Sequence, residues 1–366
     1  MCIRDSHIAT TGRRGPVLID LPMNIQRSEV ENPVYDMTFE DKHTDAAAAQ
    51  QAADTILEAL EQAKRPVIML GHGVDSSFSQ QKLIRFAQKR QIPIITSVLA
   101  KSVLGYDHPL NFGCIGGAYG HRYANMIANA KSDLLLCFGI SLCTRQIGTK
   151  VHEFARGAKI IRIDIDPYNL QRDIHENGEN EVKLQAETGA VIDCLAKVDD
   201  PDIEGVSDWL NVCTEIKENL QAVDDATPER YPNRMIADLS DMLEDTSAIA
   251  VDVGQHMVWS YQSFKNHEGQ KLLFSGGHGA MGYGLPAAIG AYYATGKPTA
   301  CICGDGALQM NIQELEWVKR ENLPIKIMVM NNEALGMIRH LQRDYFDCLF
   351  AGTTAVSYTH LTLPTT

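Results

Sequence analysis

An acid and an amide in the last third of the chain are the residues best placed to do chemistry. Asp305 lies between two glycines directly after the apolar run 299–303, and Asn332 follows the mainly apolar run 325–330. Turn formation alone explains both, because loops select Gly, Asp and Asn for positive φ and local hydrogen bonds. Brought together with a backbone carbonyl, however, they form the hard oxygen set that suits Mg²⁺ when phosphate oxygens and water complete its shell.

The stretch between the two runs predicts a helix that connects two parallel strands. Its apolar face and its N-terminal capping pair are formed by Ile312, Leu315 and Val318 and by Asn311 and Glu314. A right-handed crossover places the carboxyl ends of both strands at one edge of the sheet. Asp305 and Asn332, 27 positions apart, are therefore expected to be neighbours where open α/β sheets bind ligands.

Strands and helices alternate through most of the remaining chain. The strand-like runs lie at 66–71, 92–97, 133–139 and 159–166 in a first series and at 248–254, 299–304 and 325–330 in a second. Such alternation predicts parallel sheets that are covered by helices on both faces. We therefore predict an α/β protein with two doubly wound parallel-sheet domains, each a three-layer αβα arrangement.

An acidic, proline-containing stretch with one helix in its middle predicts a linker between the two domains. The predicted segments are an adaptor-like start at 1–6, a remnant of an N-terminal domain with its linker at 7–45, a central domain at 46–198, the linker at 199–230, a truncated C-terminal domain at 231–355 and an adaptor-like end at 356–366. The remnant includes one strand-like run at 15–22. We set the two adaptor-like ends aside and expect a fragment that is open at both ends.

Composition argues against several classes of protein. The 366 residues carry a formal net charge of −13 with a pI near 5.4, whereas a nucleic-acid surface needs a clustered basic face. No apolar run approaches the roughly 18 residues of a membrane span, and the first residues lack a signal peptide's apolar core, so we expect a cytoplasmic protein. The nine cysteines form no CxxC pair, and Cys301 and Cys303 are predicted to be reduced core residues.

Several motifs resemble those of the thiamine-diphosphate enzymes. Gly-Asp-Gly followed at this spacing by Asn-Asn resembles their signature, and "MNIQEL" and "NNEALGMIR" resemble the acetolactate synthase catalytic subunit in particular. "VDVGQHMVWSYQ" and "SGGHGAMGYGLPAAIGAYYATG" are similar to the family's diphosphate and aminopyrimidine loops, and "IIRIDIDP" to its central domain. The similarity extends from His7 to about Ala355 and implies thiamine diphosphate and Mg²⁺ as cofactors.

The resemblance also implies roles for individual residues. The metal ligands would be Asp305, Asn332 and Ala334, the last through its main-chain oxygen. The cofactor-binding residues would be Gly254, Gln255, His256, Gly279, Met281, Gly304, Asp305, Gly306, Ala307, Asn332, Ala334, Gly336 and Met337. Among these, Met281 would be the apolar wedge that bends the cofactor.

The implied reaction is decarboxylation of a 2-oxo acid, such as pyruvate, followed by carboligation to 2-acetolactate in branched-chain amino-acid biosynthesis. The cofactor carries this chemistry, and a glutamate from the first domain of a partner subunit activates it. No residue of this chain matches that glutamate, so no catalytic residue is assigned. The resemblance further implies a homodimer or homotetramer for the full-length protein, and a regulatory subunit is a further candidate partner.

The family's central domain often binds FAD. The candidate FAD-binding residues are Gly71, Gly116, Gly117, Gly120, Arg145, Asp164 and Asp166. The chain departs from the family pattern after 133–139, where "ISLCTRQIG" keeps only the arginine, and at Leu341, where the synthases carry tryptophan. Because of these departures, the resemblance does not decide whether FAD is bound or which substrate is used.

Two other functions fit the same residues. One is a related thiamine-diphosphate enzyme that acts on another 2-oxo acid or on a sugar-derived acid. The other is a non-catalytic protein that binds the cofactor or a partner subunit.

We predict that this polypeptide alone has no turnover, because the activating glutamate is not encoded in it. The measurement is acetolactate formation from pyruvate. Product above the level of a no-protein control would contradict the prediction.

Overall fold

A computed structural model describes residues 2–30, 45–74, 76–117, 119–198 and 207–354. The strands are β1 (Pro66–Leu70), β2 (Ile94–Thr96), β3 (Asn111–Cys114), β4 (Leu134–Phe138), β5 (Lys159–Asp164), β6 (Glu181–Gln185), β7 (Ala248–Val251), β8 (Lys271–Phe274), β9 (Thr299–Gly304) and β10 (Ile325–Met330). The helices of the first half are α1 (Cys2–Thr10), α2 (Met23–Gln26), α3 (Ala46–Gln62), α4 (Ser77–Lys89), α5 (Arg122–Asn125), α6 (Thr144–Ile147), α7 (Pro167–Gln171) and α8 (Thr188–Leu195). Those of the second half are α9 (Asp208–Asn219), α10 (Pro232–Met242), α11 (Gln255–Ser263), α12 (Gly284–Thr295), α13 (Asp305–Gln309), α14 (Glu314–Arg320) and α15 (Gly336–Tyr345).

The first sheet has six parallel strands in the order β3-β2-β1-β4-β5-β6. Its central strands are continuous apolar runs, because helices cover both faces of a parallel sheet. All five residues of β4 are buried. Asp45 is the N-cap of helix α3, and its side chain accepts hydrogen bonds from the N–H groups of Ala47 and Ala48. The strand order reverses between β1 and β4, which makes the ends of these two strands a switch point of the sheet.

The second sheet has four parallel strands in the order β10-β9-β7-β8. Strand β9 pairs with both β7 and β10, and all six of its residues are buried. Helices α10 and α11 lie against each other, while α12 packs on β7 and β9. The prediction of an α/β protein with two parallel sheets is confirmed.

Several local predictions were wrong or incomplete. The run 15–22 forms no strand, and Leu18 is 95% exposed, because none of the described segments pairs with it. Strands β3, β6 and β8 were missed, since each is short and carries polar or glycine residues or lies at a sheet edge. The predicted linker helix exists as α9, and residues 199–206 before it lie outside the described residues.

Three further observations concern the chain as a whole. Among the described residues, no helix is both long and apolar enough to cross a membrane. The cysteines with described side chains are free thiols. Cys301 and Cys303 belong to one buried cluster, as predicted. The hydrogen bond with Cys303, together with burial, raises the pKa of the Cys301 thiol.

A buried ion pair holds the far edge of the first sheet. The guanidinium of Arg162 on β5 donates to the carboxylate of Glu181 on β6 over 2.7 Å, and neither side chain is more than 2% exposed. Arg162 also donates to the carbonyl oxygen of Arg172 over 2.7 Å, and the second oxygen of Glu181 accepts from the N–H of Ile174. The hydrogen bonds compensate for the cost of burying two charges.

We predict that Glu181→Ala lowers the free energy of unfolding by about 3–5 kcal/mol, because it leaves the guanidinium of Arg162 buried without a carboxylate. Urea unfolding measures the change. Asp173→Ala, which breaks the solvent-exposed pair with Lys183, is the matched control and should have a much smaller effect. Equal losses from the two variants would contradict this account.

Candidate functional site

The acid and the amide singled out in the sequence lie at the same edge of the second sheet. Strands β9 and β10 are parallel neighbours, and Met330 pairs with Gly304 at their carboxyl ends. Asp305 and Asn332 therefore follow adjacent strand ends, as the crossover argument predicts. The helix between them starts later than expected. Asn311 is not its N-cap, because turns precede α14, which begins at Glu314.

The three predicted metal ligands present oxygen atoms in different settings. Asp305 is only 2% exposed, at the start of α13. The side-chain oxygen of Asn332 accepts from the N–H of Ala334 over 3.1 Å, which fixes the turn that contains both residues. Within the described part of the chain, no group of three His, Cys, Asp or Glu side chains is arranged to hold a metal ion. One carboxylate, one amide oxygen and one carbonyl oxygen would leave places in a Mg²⁺ shell for the oxygens of a diphosphate and water.

The loop after β7 reaches the same edge and contacts both other loops. The imidazole of His256 lies beside two glycines: a Cβ at Gly254 would be 2.6 Å from its ring, and a Cβ at Gly304 would be 3.2 Å away. The side-chain oxygen of Gln255 accepts from the amide of Asn332 over 3.0 Å. Both amides pack against Gly336, where a Cβ would lie 2.1 Å from the oxygen of Gln255. A side chain at any of these three glycines would displace His256, Gln255 or Asn332 from its present position.

His256 is a buried base without a complete set of partners. Its side chain is 4% exposed, and its Nε2 atom has no hydrogen-bond partner. Burial lowers the pKa of the imidazole to about 4, against a smaller opposing effect of the Asp252 backbone. The ring is therefore neutral near pH 7, with one polar atom still able to bond a ligand.

The loop after β8 carries the two residues expected at the aminopyrimidine. Gly279 adopts a φ of +76°, a left-handed conformation that favours glycine. Met281 is half-buried, and its Cε lies 3.6 Å from the position that a Cβ on Gly306 would take. The apolar side chain thus lies beside the Gly304–Gly306 turn. Ala307 is buried below that turn, and Met337 is half-buried at the start of α15.

Sequence reasoning missed two residues that hold this loop. The buried carboxylate of Asp252, at the end of β7, accepts hydrogen bonds from the N–H groups of Gly282 and Gly284. Asn311, predicted as a helix cap, instead donates its side-chain amide to the carbonyl oxygen of Gly282. The acid directly after an apolar strand in "VDVGQH" was the available signal for Asp252.

The first sheet's domain also contacts the loop after β8. The guanidinium of Arg145 donates to the carbonyl oxygen of Gly277 over 3.2 Å and approaches that of Gly276 at 3.5 Å. Leu99 packs directly against Gly276. The carbonyl oxygen of Arg145 accepts from the N–H of Gly117, so this arginine lies between a candidate flavin loop and the Gly279 loop.

The other candidate FAD residues already contact other residues of the protein. Gly71 packs on Gly139, whose carbonyl oxygen would be 2.0 Å from an added Cβ, so its lack of a side chain allows β1 and β4 to end close together. Gly120 similarly packs on Gly116 in a tight turn. Asp164 accepts from the N–H of Asp166, and Asp166 caps α7. The carboxylate of Asp166 also pairs with the guanidinium of Arg13, and Asp164 also accepts from the side-chain amide of Asn169, so both carboxylates have partners within the protein.

The groups at this edge of the second sheet are chemically suited to bind a diphosphate. The turns at Gly254 and Gly304 bring backbone close together around the His256 ring, whose orphaned Nε2 atom is buried there. Asp305 and Asn332 present side-chain oxygens of the kind that an accompanying cation would bind. The apolar side chain of Met281 lies next to these polar groups, as a ligand with an anionic end and an aromatic end requires.

We predict that His256 makes the folded protein less stable in acid. One pKa unit corresponds to about 1.4 kcal/mol, so protonating this buried imidazole costs about 3 kcal/mol. The folded pKa is the lower one, so this stability is fully present above about pH 6.5 and is lost as the pH falls through about 4. Urea unfolding of wild type and His256→Gln at several pH values measures the difference, and exposed His72→Gln is the control. Parallel pH profiles for all three proteins would contradict the prediction.

Comparison with known proteins identifies both domains. The profile described as "Thiamine pyrophosphate enzyme, C-terminal TPP binding domain" matches residues 252–362, and the profile for the central domain of the same enzymes matches residues 53–195. Together the two profiles cover more than half of the chain.

Individual relatives point to the same enzymes as the two profiles. The chain is 35% identical over 358 residues to a probable acetolactate synthase large subunit of Methanocaldococcus jannaschii, which covers 93% of this chain and 58% of the relative. It is 33% identical over 352 residues to the acetolactate synthase isozyme 1 large subunit of Escherichia coli, covering 94% and 60%. For the chloroplastic acetolactate synthase 1 of Nicotiana tabacum the identity is 34% over 347 residues, covering 90% and 50%. The chain thus spans between half and three-fifths of these curated relatives, and it belongs to the thiamine pyrophosphate enzyme family.

Proposed function

We propose that the protein is a thiamine-diphosphate- and Mg²⁺-dependent enzyme of the acetolactate synthase type. It would decarboxylate a 2-oxo acid such as pyruvate and join the remaining fragment to a second carbonyl compound. The observation that carries the proposal is the meeting of three loops at one sheet edge, where Asp305, Asn332 and His256 lie together. Similarity to named acetolactate synthases along nearly the whole chain supports the same conclusion.

The chain's own residues would hold the two ends of the cofactor. Mg²⁺ would be bound by the side chains of Asp305 and Asn332 and by the carbonyl oxygen of Ala334. The backbone groups that would face the diphosphate belong to Gly254, Gln255, His256, Gly304, Gly306 and Ala307. Gly336 and Met337 lie beyond them, toward the expected substrate end.

Thiamine diphosphate supplies a carbon nucleophile and an electron sink for decarboxylation. The protein's part in this chain is to bind and orient that group. Met281 would support its bent shape from below, and Gly279 would leave room for the aminopyrimidine. The glutamate that moves the activating proton would come from the N-terminal domain of a partner subunit, so a homodimer or homotetramer is part of the proposal.

FAD in the central domain is a further component of the proposal. The strand order of the first sheet supports it, because nucleotides bind at the switch point of such sheets, here the ends of β1 and β4. Gly71, Asp164 and Asp166 add little support, since packing on Gly139, turn formation and the ion pair with Arg13 account for them. A regulatory small subunit is proposed as partner because four of the relatives are named large subunits.

Two alternatives use the same site. The full-length protein could act on a different 2-oxo acid or on a sugar-derived acid, and product analysis with pyruvate plus 2-oxobutyrate would separate these substrates. A non-catalytic role predicts cofactor binding without turnover even when a complete N-terminal domain is supplied.

We predict that this chain binds thiamine diphosphate only in the presence of Mg²⁺. The measurement is titration calorimetry with and without EDTA. Asp305→Ala should weaken binding at least about tenfold, because it removes the site's acidic ligand, a loss of about 1.4 kcal/mol or more. Asp238→Ala, an exposed aspartate on α10, is the matched control and should bind like wild type. Metal-independent binding, or equal affinity of Asp305→Ala, would refute the proposed site.

A further inference from the structure

Asp252 is a buried carboxylate whose described hydrogen bonds come from backbone N–H groups. It is 1% exposed at the end of β7. One oxygen accepts from the N–H of Val253 over 2.7 Å and from that of Gly282 over 2.9 Å; the other accepts from the N–H of Gly284 over 2.7 Å. Hydrogen bonds to a charged acceptor are strong, and losing one inside the protein leaves a buried donor unpaired.

These hydrogen bonds act on one short piece of backbone. The N–H of Gly282 belongs to the peptide group that joins Met281 to Gly282, and the N–H of Gly284 to the group that joins Tyr283 to Gly284. The peptide group between them is held by Asn311, whose side-chain amide donates to the carbonyl oxygen of Gly282. Three successive peptide planes are therefore fixed from two sides.

The conformation of Gly282 allows this arrangement. Its φ is +85°, and a Cβ would lie 2.7 Å from the side-chain nitrogen of Asn311 and 2.8 Å from Met310. Only glycine permits both the left-handed backbone and the close approach of Asn311. The hydrogen bonds with Asp252 and Asn311 thus stabilise this conformation of the loop.

Met281 is attached directly to the fixed peptide planes. Its side chain packs against the buried cluster that includes Ala307 and Leu308, beside the Gly304–Gly306 turn. Rotation of the Met281–Gly282 peptide would move the methionine relative to that turn. The relative position of the apolar and anionic ends of the site hence depends on Asp252 and Asn311.

We propose that Asp252 and Asn311 are positioning residues for the aromatic end of the cofactor and have no direct part in binding its diphosphate. The inference rests on the proposed function, because it takes thiamine diphosphate as the ligand. In this proposal, different residues serve the two ends of the ligand. Asp252 and Asn311 hold the Met281 loop, while Asp305 and Asn332 lie at the diphosphate end.

The test compares two ligands that share only the anionic end. Thiamine diphosphate and inorganic pyrophosphate, each with Mg²⁺, are titrated into the full chain and into Asp252→Asn. The asparagine keeps the shape of the side chain but replaces one acceptor oxygen by an NH₂ group, so at least one backbone N–H loses its partner. We expect affinity for thiamine diphosphate to fall about tenfold or more, with less than a twofold change for pyrophosphate.

A second variant separates a positioning role from misfolding of Asp252→Asn. Asn311→Ala removes the hydrogen bond to Gly282 from a half-buried side chain outside the sheet, and it should show the same selective loss. Asp245→Asn is the matched control, because this exposed aspartate precedes the same strand and pairs with Lys326 on the surface. Hydrogen exchange at Gly282 and Gly284 should speed up in Asp252→Asn and stay unchanged in the control.

The outcomes separate the two proposals. Wild type that binds neither ligand would overturn the proposed function. Wild type that binds both, with Asp252→Asn and Asn311→Ala either unchanged or weakened equally for the two ligands, would overturn the positioning role and leave the proposed function standing. A loss confined to thiamine diphosphate supports the inference.

Discussion

Parallel pairing of β9 with both β7 and β10 is the constraint on which the site depends. Three strands that run in the same direction end at one edge, so the loops after them meet although they are separated by up to about 80 residues of sequence. The loop after β8 joins them because β8 pairs with β7 in the same sense. A sheet with one of these strands reversed would carry its polar loop to the opposite edge.

The crossover was predictable because the apolar runs and the helical spacing between them are local in sequence, and the handedness of the connection is general. Short strands such as β3 and β6 lack that periodic signal. Their pairing is decided by neighbours far along the chain. The run 15–22 shows the converse: apolar residues alone formed no strand where the described structure offers no partner.

Individual site residues were harder to interpret than elements. Asn311 has the right spacing for a helix cap, but the backbone of a distant loop competes for its amide. Gly71 directly follows a strand, as the first glycine of a nucleotide loop does, whereas the contact that excludes a side chain there comes from Gly139, which follows another strand. In both cases the deciding atom belongs to a residue remote in sequence, which no short motif can contain.

The position of His256 between Gly254 and Gly304 also limits how the protein can vary. Any side chain at either glycine would meet the imidazole, and a smaller residue at 256 would relieve both restrictions at once. Effects of substitutions at residues in contact are not additive. The three positions are therefore coupled by packing, and the effect of a substitution at one of them depends on the residues present at the other two.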